Sequence, residues 1–361
     1  MQAPPLDYKP PTPTSRDTAT GLIGCGGIAE THLRAYRSAG FPVSAVCDIE
    51  EERAVDRRDT YYPDASVYTD HRDLLEEANI DVVDIATMPD VRVGLIEDAL
   101  GAGTHVLSQK PFVLDLDDGE RLIELADRAG LALAVNQNGR WAPHWSYLRE
   151  AVHDGIVGQP MSVHQQVHWD HDYIHGTPFE RFEHAILYDF AIHWFDFLAT
   201  VIDDRSPERV YASTARSPVQ TSRPPLLGQA LVEYDHAQAS LVFDGNTLHG
   251  PRNRTVITGT DGTLVSDGPT LNEQDVTLVV DGERSTADLD GAWFDDGFAG
   301  TMGELLCAVE AEREPANSAR DNIRSLELCF AAVAAADAGK PVRPGDVRSI
   351  SPMAPTNPPT T

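Results

Sequence analysis

Lysine is nearly missing from this 361-residue chain: it occurs only at Lys9, Lys110 and Lys340. Positive charge is scarce altogether, with 28 Lys and Arg against 57 Asp and Glu, a formal net charge of −29. Such a surface repels phosphate backbones and anionic membrane faces, so nucleic acid and membranes are poor partners. No run approaches the roughly 18 apolar residues of a membrane helix. The start, Met1–Asp7, lacks a signal-peptide core, so the expected compartment is the cytoplasm. C-x-x-C pairs are absent too. The apolar settings of Cys25, Cys47, Cys307 and Cys329 suggest reduced core thiols, not disulfides or zinc ligands. A lysine-poor, acid-rich balance of this kind suits a high-salt cytoplasm, where screening suppresses self-repulsion.

What remains is an ordinary globular composition, 41% apolar and 24% charged, long enough for two domains with separate cores. Residues 1–17 carry five prolines and are expected to form a disordered leader; residues 349–361 are expected to be a flexible tail. From residue 18 to 140, short apolar strands alternate with helical patterns: Thr18–Ile23, Val43–Cys47, Val82–Ala86, His105–Leu107 and Ala132–Asn136 as strands, with helices between them. That alternation predicts an α/β domain built on a doubly wound parallel sheet. From 141 to 348 the pattern changes to helices near Trp145–Asp154 and Ile186–Val201, then strands in succession and a late helix at Ile323–Ala338. This part reads as an α+β domain with an open-faced, mainly antiparallel sheet.

Gly24-Cys25-Gly26-Gly27-Ile28-Ala29 follows a strand and opens a helix, as G-x-G-x-x-A. Gly24 permits the turn, Gly26 lets backbone approach a pyrophosphate, Ala29 allows close helix–strand packing, and the helix N-terminus faces the phosphates. The next strand ends at Asp48, where an acid grips ribose hydroxyls; a helix N-cap role for Asp48 is compatible with this. Ile49, Glu50, Glu51 and Glu52 precede the first nearby base, Arg53, which favours NAD over NADP. Asn136 and Gln137, ending the last parallel strand, are candidates for the nicotinamide side or for satisfying backbone groups.

Lys110 sits inside the apolar run Thr104–Phe112, which reads as a buried strand ending at this charge. Arginine keeps its proton near neutral pH whereas a part-buried lysine can release it, so an amine here suggests proton chemistry, against the alternative of a structural ammonium. With the glycine turn, Gln109-Lys110-Pro111 and Asp189-Phe-Ala-Ile-His193-Trp-Phe-Asp196, the chain resembles the glucose–fructose oxidoreductase / inositol dehydrogenase / rhizopine-catabolism (Gfo/Idh/MocA) family over roughly residues 18–345. The resemblance implies a Rossmann domain joined to an open-faced sheet domain. It also implies Lys110 as the catalytic lysine with Asp189 and His193 as partners, and Thr87 and Pro89 bordering the cofactor.

On a helix, Asp189, His193 and Asp196 fall at i, i+4 and i+7, one face. A base near neutrality suits removal of a hydroxyl proton as hydride leaves the same carbon, typically worth about 10²–10⁴-fold. His193 is assigned the proton, Lys110 a relay and Asp189 the orienting of substrate or His193; the reverse assignment, lysine as the base, is open. Asp196 reads as structural. Three departures from the family pattern stand out. Gln109 replaces a glutamate, removing a charge that favours protonated Lys110; Ala191 replaces a glycine; Val93 stands where a histidine is common. His164, His168, His171 and His175 show no metal-ligand spacing, so no metal is expected. Trp141, Trp145, Trp169 and Trp194 are core candidates, one or two of them able to stack on a sugar ring. Arg140 suits an acidic substrate group or a salt bridge.

The reading is an NAD-dependent dehydrogenase of a sugar, polyol or cyclic alcohol, paired into homodimers or homotetramers through the second sheet. Its alternatives are an NAD-binding sensor without turnover and a glycosidase working by transient oxidation.

Overall fold

Apolar runs of three to five residues, each buried on both faces, become the strands of the first sheet. The computed structural model describes residues 3–202 and 205–351; the first two residues of the expected leader and residues 352–361 of the expected tail lie outside these. In chain order the first sheet and its helices are β1 (Thr20–Ile23), α1 (Gly27–Ala39), β2 (Val43–Cys47), α2 (Glu51–Tyr61), β3 (Ser66–Tyr68), α3 (His71–Glu77), β4 (Val82–Ile85), α4 (Pro89–Gly101), β5 (His105–Ser108), α5 (Leu116–Ala129) and β6 (Leu133–Val135). All pairings are parallel, in the order β3-β2-β1-β4-β5-β6. The order reverses beside β1, leaving a crevice at the carboxyl ends of β1 and β4 where such sheets take ligands. Helix α5 shows how locally specified these elements are. Asp115 caps its start by accepting the Asp117 N–H at 2.8 Å, and Gly130, in the left-handed region, closes its end.

A second sheet carries the later residues. Its elements are α6 (Pro143–His153), β7 (Pro160–His168), α7 (Ile192–Val201), β8 (Pro207–Ala215), β9 (Leu227–Tyr234), β10 (Ala237–Asp244), β11 (Arg252–Gly259), β12 (Gly262–Gly268), β13 (Asp275–Val280) and β14 (Glu283–Ala287). The strands lie in the order β14-β13-β12-β11-β7-β10-β9-β8, antiparallel except for β7 beside β10. Alternate residues such as Ala230, Val232, Leu241, Phe243, Ile257, Leu264 and Leu278 are buried, so one face is packed and the other is open. Trp194 of α7 meets Phe243 edge-on at 5.1 Å on the packed face. Asp281 and Gly282, both at positive φ, make the two-residue turn between β13 and β14 that their sequence predicts.

The chain then returns. Helix α8 (Trp293–Glu310) belongs with the first sheet, and α9 (Ala319–Ala338) carries the chain back to the second. The two compact units are therefore discontinuous: Tyr8–Ser146 with Gly291–Ile323, and residues 147–290 with the described residues before 8 and after 323. This departs from the expected split into 18–140 and 141–348. The reason is a glycine stripe on α8. A Cβ at Gly297 would lie 2.5 Å from the Asn138 carbonyl oxygen, at Gly300 2.3 Å from Trp141, and at Gly303 2.2 Å from the Pro11 carbonyl oxygen. Bare backbone lets the Asn138–Trp141 turn and the leader settle directly on the helix. The described part of the leader is thus seated, not loose: the N–H groups of Thr14 and Ser15 donate to the Glu310 carboxylate at 2.9 and 3.1 Å. Another departure concerns Ile186–Val201, expected as one α-helix. Ile186–Phe190 is a π-helical turn, closed by the Ala191 N–H on the Ile186 carbonyl at 3.0 Å, and α7 begins only after it.

Candidate active site

At the crevice beside β1, Gly24 has φ +96°, and a Cβ there would meet Thr87 Cγ2 at 2.9 Å and the Ala86 carbonyl at 3.0 Å. Only glycine turns here. In front of Gly26 and Gly27 the space is open, with nothing within 4 Å of where a Cβ would stand. Gly26 is the N-cap of helix α1 and supplies no side-chain cap. A 13-residue helix thus presents its first N–H groups and positive dipole end into open room. Asp48 borders the same turn: its Oδ2 accepts the Cys25 N–H at 2.7 Å and its Oδ1 the Glu50 N–H at 2.9 Å. It is not the N-cap of α2; that position is Glu50. Burial, then the charge of Asp48, pushes the Cys25 thiol up to about 12, so this cysteine is inert packing. Ile28 and Ile49 are exposed on either side of the turn, Ile49 by 89%. An open anion cradle, an acid behind it and bare apolar flanks fit a dinucleotide.

Lys110 follows β5, half-buried, with its backbone N–H donating to Gln109 Oε1 at 2.6 Å. A residue absent from the sequence reading holds this segment. Arg92, buried on α4, donates to the Gln109 carbonyl at 2.5 Å and the Phe112 carbonyl at 3.4 Å, and also to the carbonyls of Pro111 and Thr87. The guanidinium fork thus grips backbone on both sides of Lys110 and in the Thr87 loop, where Pro89 opens α4. The only sequence signal was an arginine in helical phase with the apolar residues Pro89, Ile96, Ala99 and Leu100 of α4.

Behind Lys110 lies a buried polar cluster. His32 Nδ1 is 2.6 Å from Asp84 Oδ2, which also accepts the Tyr36 hydroxyl at 2.7 Å. His32 Nε2 is 3.1 Å from Gln109 Nε2 and 3.2 Å from Asn136 Nδ2, and Thr301 of α8 donates to Asn136 Oδ1 at 2.9 Å. The Asn136 amide is therefore engaged by side chains inside the fold, and neither of these contacts is the backbone group that its position suggested. Its neighbour Gln137 is different. Both polar atoms of the Gln137 amide are buried with no protein partner among the described residues, and so is Thr87 Oγ1. Groups left in that state are expensive unless something else engages them.

In the second unit, Asp189 is buried in the π-helical turn and His193 is half-buried one step into α7. The single α-helical face expected for Asp189, His193 and Asp196 is therefore interrupted after Phe190; π-turns of this kind recur at functional sites. Asp196 is buried and accepts the Ser325 hydroxyl at 2.8 Å, a structural role. Beside Asp189, Phe190 joins an aromatic cluster: His171 lies 4.1 Å from the Phe190 ring and 5.0 Å from Trp169, and Tyr173 lies 6.3 Å from Phe190. Trp169 is 37% exposed and Tyr173 59%. Asp172 fixes the neighbouring loop by accepting the Thr221 and Ser222 N–H groups, each at 2.7 Å.

The remaining candidates resolve into structure. Arg140 pairs with Asp321 at 2.7 Å and donates to the Ala316 carbonyl at 2.5 Å. Trp141, Trp145 and Trp194 are core, and Trp293, unremarked in the sequence, lies 4.5 Å from Trp145 with the rings tilted by 56°. His164 binds Ser240 at 2.7 Å and His175 binds Glu180 at 3.0 Å. Among the described residues no His, Cys, Asp or Glu cluster has metal-site geometry, and no helix is long and apolar enough to cross a membrane.

Residues 18–137 match the model of an oxidoreductase family with an NAD-binding Rossmann fold, and residues 145–265 the Gfo/Idh/MocA C-terminal domain. D-apiose dehydrogenase of Paraburkholderia graminis is 28% identical over 95% of this chain and 93% of its own length. An oxidoreductase from Agrobacterium radiobacter, solved with NAD+, L-tartaric acid and magnesium, has the same fold with TM-score 0.82 at 22% identity, covering 91% of this chain and 99% of that one. Levoglucosan dehydrogenase, solved with NADH and levoglucosan, superposes with TM-score 0.79 at 17% identity over 91% of this chain and all of its own. A nucleotide-accepting turn, a parallel sheet in this strand order and an open mixed sheet, matched by both family models, mean that the chain belongs to the Gfo/Idh/MocA family of NAD-binding oxidoreductases.

Proposed function

We propose that this oxidoreductase is an NAD-dependent dehydrogenase acting on a CH–OH group of a sugar or polyol, with Lys110, Asp189 and His193 handling the hydroxyl proton. The open, uncapped glycine turn backed by Asp48 carries the reading. Bound nicotinamide supplies the hydride acceptor or donor. The protein's task is to hold the alcohol and take its proton as the C–H bond breaks. His193 is the proposed acceptor, Lys110 the hydrogen-bonding relay and Asp189 the orienting carboxylate; Lys110 as acceptor gives the same proton balance. Gln137 and Thr87 offer unengaged polar atoms for the cofactor.

NAD is favoured over NADP because Asp48 is followed by exposed Ile49 and three acids, while Arg53 is engaged by Glu50 at 2.9 Å. A 2′-phosphate there meets negative charge. For the substrate, the half-exposed Trp169 and Tyr173 next to the Asp189 turn suit the C–H face of a sugar ring, with hydroxyls left for the polar groups. The curated relative acting on D-apiose points to the same class. Pairing of two or four copies through the open face of the second sheet, and a cytoplasmic setting, complete the proposal.

The test is NADH absorbance at high salt across aldoses, inositols and sugar acids, with Lys110→Ala as control. Turnover of one class, lost in the variant, supports the dehydrogenase. NAD binding without turnover of any alcohol favours a sensor. Cofactor that stays bound and returns oxidised while a glycosidic bond is cleaved favours transient oxidation.

A further inference from the structure

The glutamine at 109, where the family usually has glutamate, is one half of a matched pair, and we propose that the other half is the proton count of His32. Gln109 thereby acts as a positioning residue that joins helix α1 to the Lys110 backbone without adding charge. The argument begins at a group that can only donate, the Lys110 backbone N–H. The Gln109 atom 2.6 Å from it is therefore the amide oxygen. The other end of that amide, the NH2, faces His32 Nε2 at 3.1 Å. An amide NH2 has no lone pair to offer, so His32 Nε2 accepts and carries no proton. Asn136 agrees: with its Oδ1 taken by the Thr301 hydroxyl at 2.9 Å, its NH2 faces the same ring nitrogen at 3.2 Å. The single ring proton then sits on Nδ1, aimed at Asp84 Oδ2 at 2.6 Å.

Every neighbour of the ring fits this arrangement. From its own helix comes the Tyr36 hydroxyl, donating to the same Asp84 oxygen at 2.7 Å. From α8 come Thr301 and the Phe298 ring, edge-on at 4.6 Å. From the strand ends come Asp84, Gln109 and Asn136. The cation of this group, Arg92, reaches the Gln109 carbonyl rather than the ring. His32, Asp84, Asn136 and Gln109 are each at most 5% exposed.

A glutamate at 109 changes the proton count. Its first oxygen accepts the Lys110 N–H as the amide oxygen does. Its second then faces His32 Nε2, lone pair to lone pair, unless the ring takes a second proton from solvent. Glutamate, imidazolium and Asp84 together carry one negative charge; glutamine, neutral imidazole and Asp84 also carry one. The negative charge that the sequence comparison counts as lost at 109 is thus matched by a positive charge missing at 32. Lys110 sees a different arrangement of charge, not a different sum. The catalytic consequence rests on the proposed role of Lys110, whereas the protonation of His32 does not.

The test is nitrogen-15 NMR of the histidine rings in the full chain, with the His32 signals assigned by loss in His32→Asn. In the native protein His32 is expected to show one protonated nitrogen, Nδ1. In Q109E, in the same buffer, both nitrogens are expected to be protonated. Kinetics supply a second arm: Q109E is expected to lose less than tenfold in kcat when His32 is present. Combined with H32N, which has no imidazole to take up the proton, the loss should exceed the product of the two single losses by at least tenfold. A proton on His32 Nε2 in the native protein overturns the proposal even if Q109E fails to fold. A singly protonated His32 in folded Q109E, or losses that simply multiply, also overturns it. Absence of turnover in the native chain on every alcohol defeats the dehydrogenase reading instead, leaving the NMR result to decide this one.

Discussion

Arg92 donates to the carbonyl of Gln109 at 2.5 Å from a side chain that is 1% exposed, so the backbone before Lys110 hangs on an interior cation. The same guanidinium reaches carbonyls after the lysine and in the Thr87 loop. Replacing it with methionine keeps the volume and leaves these carbonyls without the donor. Each orphaned buried acceptor costs about 1–3 kcal/mol. Arg92→Met should therefore lower unfolding stability by about 3 kcal/mol and depress kcat more than it raises KM for NAD. Denaturant unfolding with NAD titration checks this; a loss under about 1 kcal/mol would show that the clamp is ornamental.

Asp48 accepts one backbone N–H on each carboxylate oxygen, and each oxygen has a second lone pair that the proposed ribose contact would use. Asp48→Asn retains a carbonyl for one N–H but loses the charge and one acceptor. Charge-assisted hydrogen bonds carry about 1.5–3 kcal/mol, which predicts a rise in KM for NAD of about tenfold to a hundredfold. The preference for NAD over NADP should narrow in the same variant. Unchanged KM values for both cofactors would remove Asp48 from the ribose site.

If the aromatic cluster beside Asp189 receives a sugar ring, Trp169→Ala should raise the substrate KM by about tenfold, with the KM for NAD untouched. Ring-to-ring contacts of this kind are worth about 0.5–1.5 kcal/mol beyond area burial. Steady-state kinetics with each substrate varied separately give the answer, and an equal rise in both KM values would assign Trp169 to general packing.

His144, buried 5.6 Å from Trp293 and 5.9 Å from Trp145, is pulled down to about 3 by burial. The unfolded chain binds a proton there below about pH 6.5 while the folded chain does not until about pH 3. Stability is thus full above pH 6.5 and falls as the pH drops, by up to about 1.4 kcal/mol per unit from this group. His144→Phe, which keeps a ring without the titration, should flatten the loss between pH 6 and 4 in denaturant unfolding. An unchanged slope would mean that other groups set the acid limb.

With a formal charge of −29, self-repulsion is the chain's standing cost in dilute buffer. The screening length falls from about 10 Å at 0.1 M salt to about 3 Å at 1 M. Thermal stability should rise between 0.1 and 2 M KCl and level off beyond it. A melting temperature that falls with KCl would count against a high-salt habitat.

The strand–helix alternation, the glycine turn and Asp48 were legible in the sequence because their logic is local: periodicity, a tight turn, and an acid at a strand end. Helix α8 was not, since Gly297, Gly300 and Gly303 weaken a helical pattern. Their purpose appears only when Asn138, Trp141 and Pro11 are seen lying on them. Short β3 and β14 gave too few residues to establish a period, and β14 is recruited by the turn at Asp281 and Gly282. The Asp189–His193–Asp196 spacing was read with α-helical arithmetic, and the π-turn at Ile186–Phe190 breaks that count. Arg92 escaped notice because a buried cation is invisible until the carbonyls around it converge.

Helix α8 also sets an order of events during synthesis. The ribosome delivers β1 to β6 first, then well over a hundred residues of the other unit, and only then the helix on which Pro11 and the Asn138–Trp141 turn rest. A nascent chain halted near residue 290 lacks the lid for its own dinucleotide half, leaving Phe41 and Tyr36 without the apolar cover of Phe298 and Met302. Truncation after residue 146 recreates that stalled state permanently. The half that looks most self-sufficient in sequence is the one that waits longest to close.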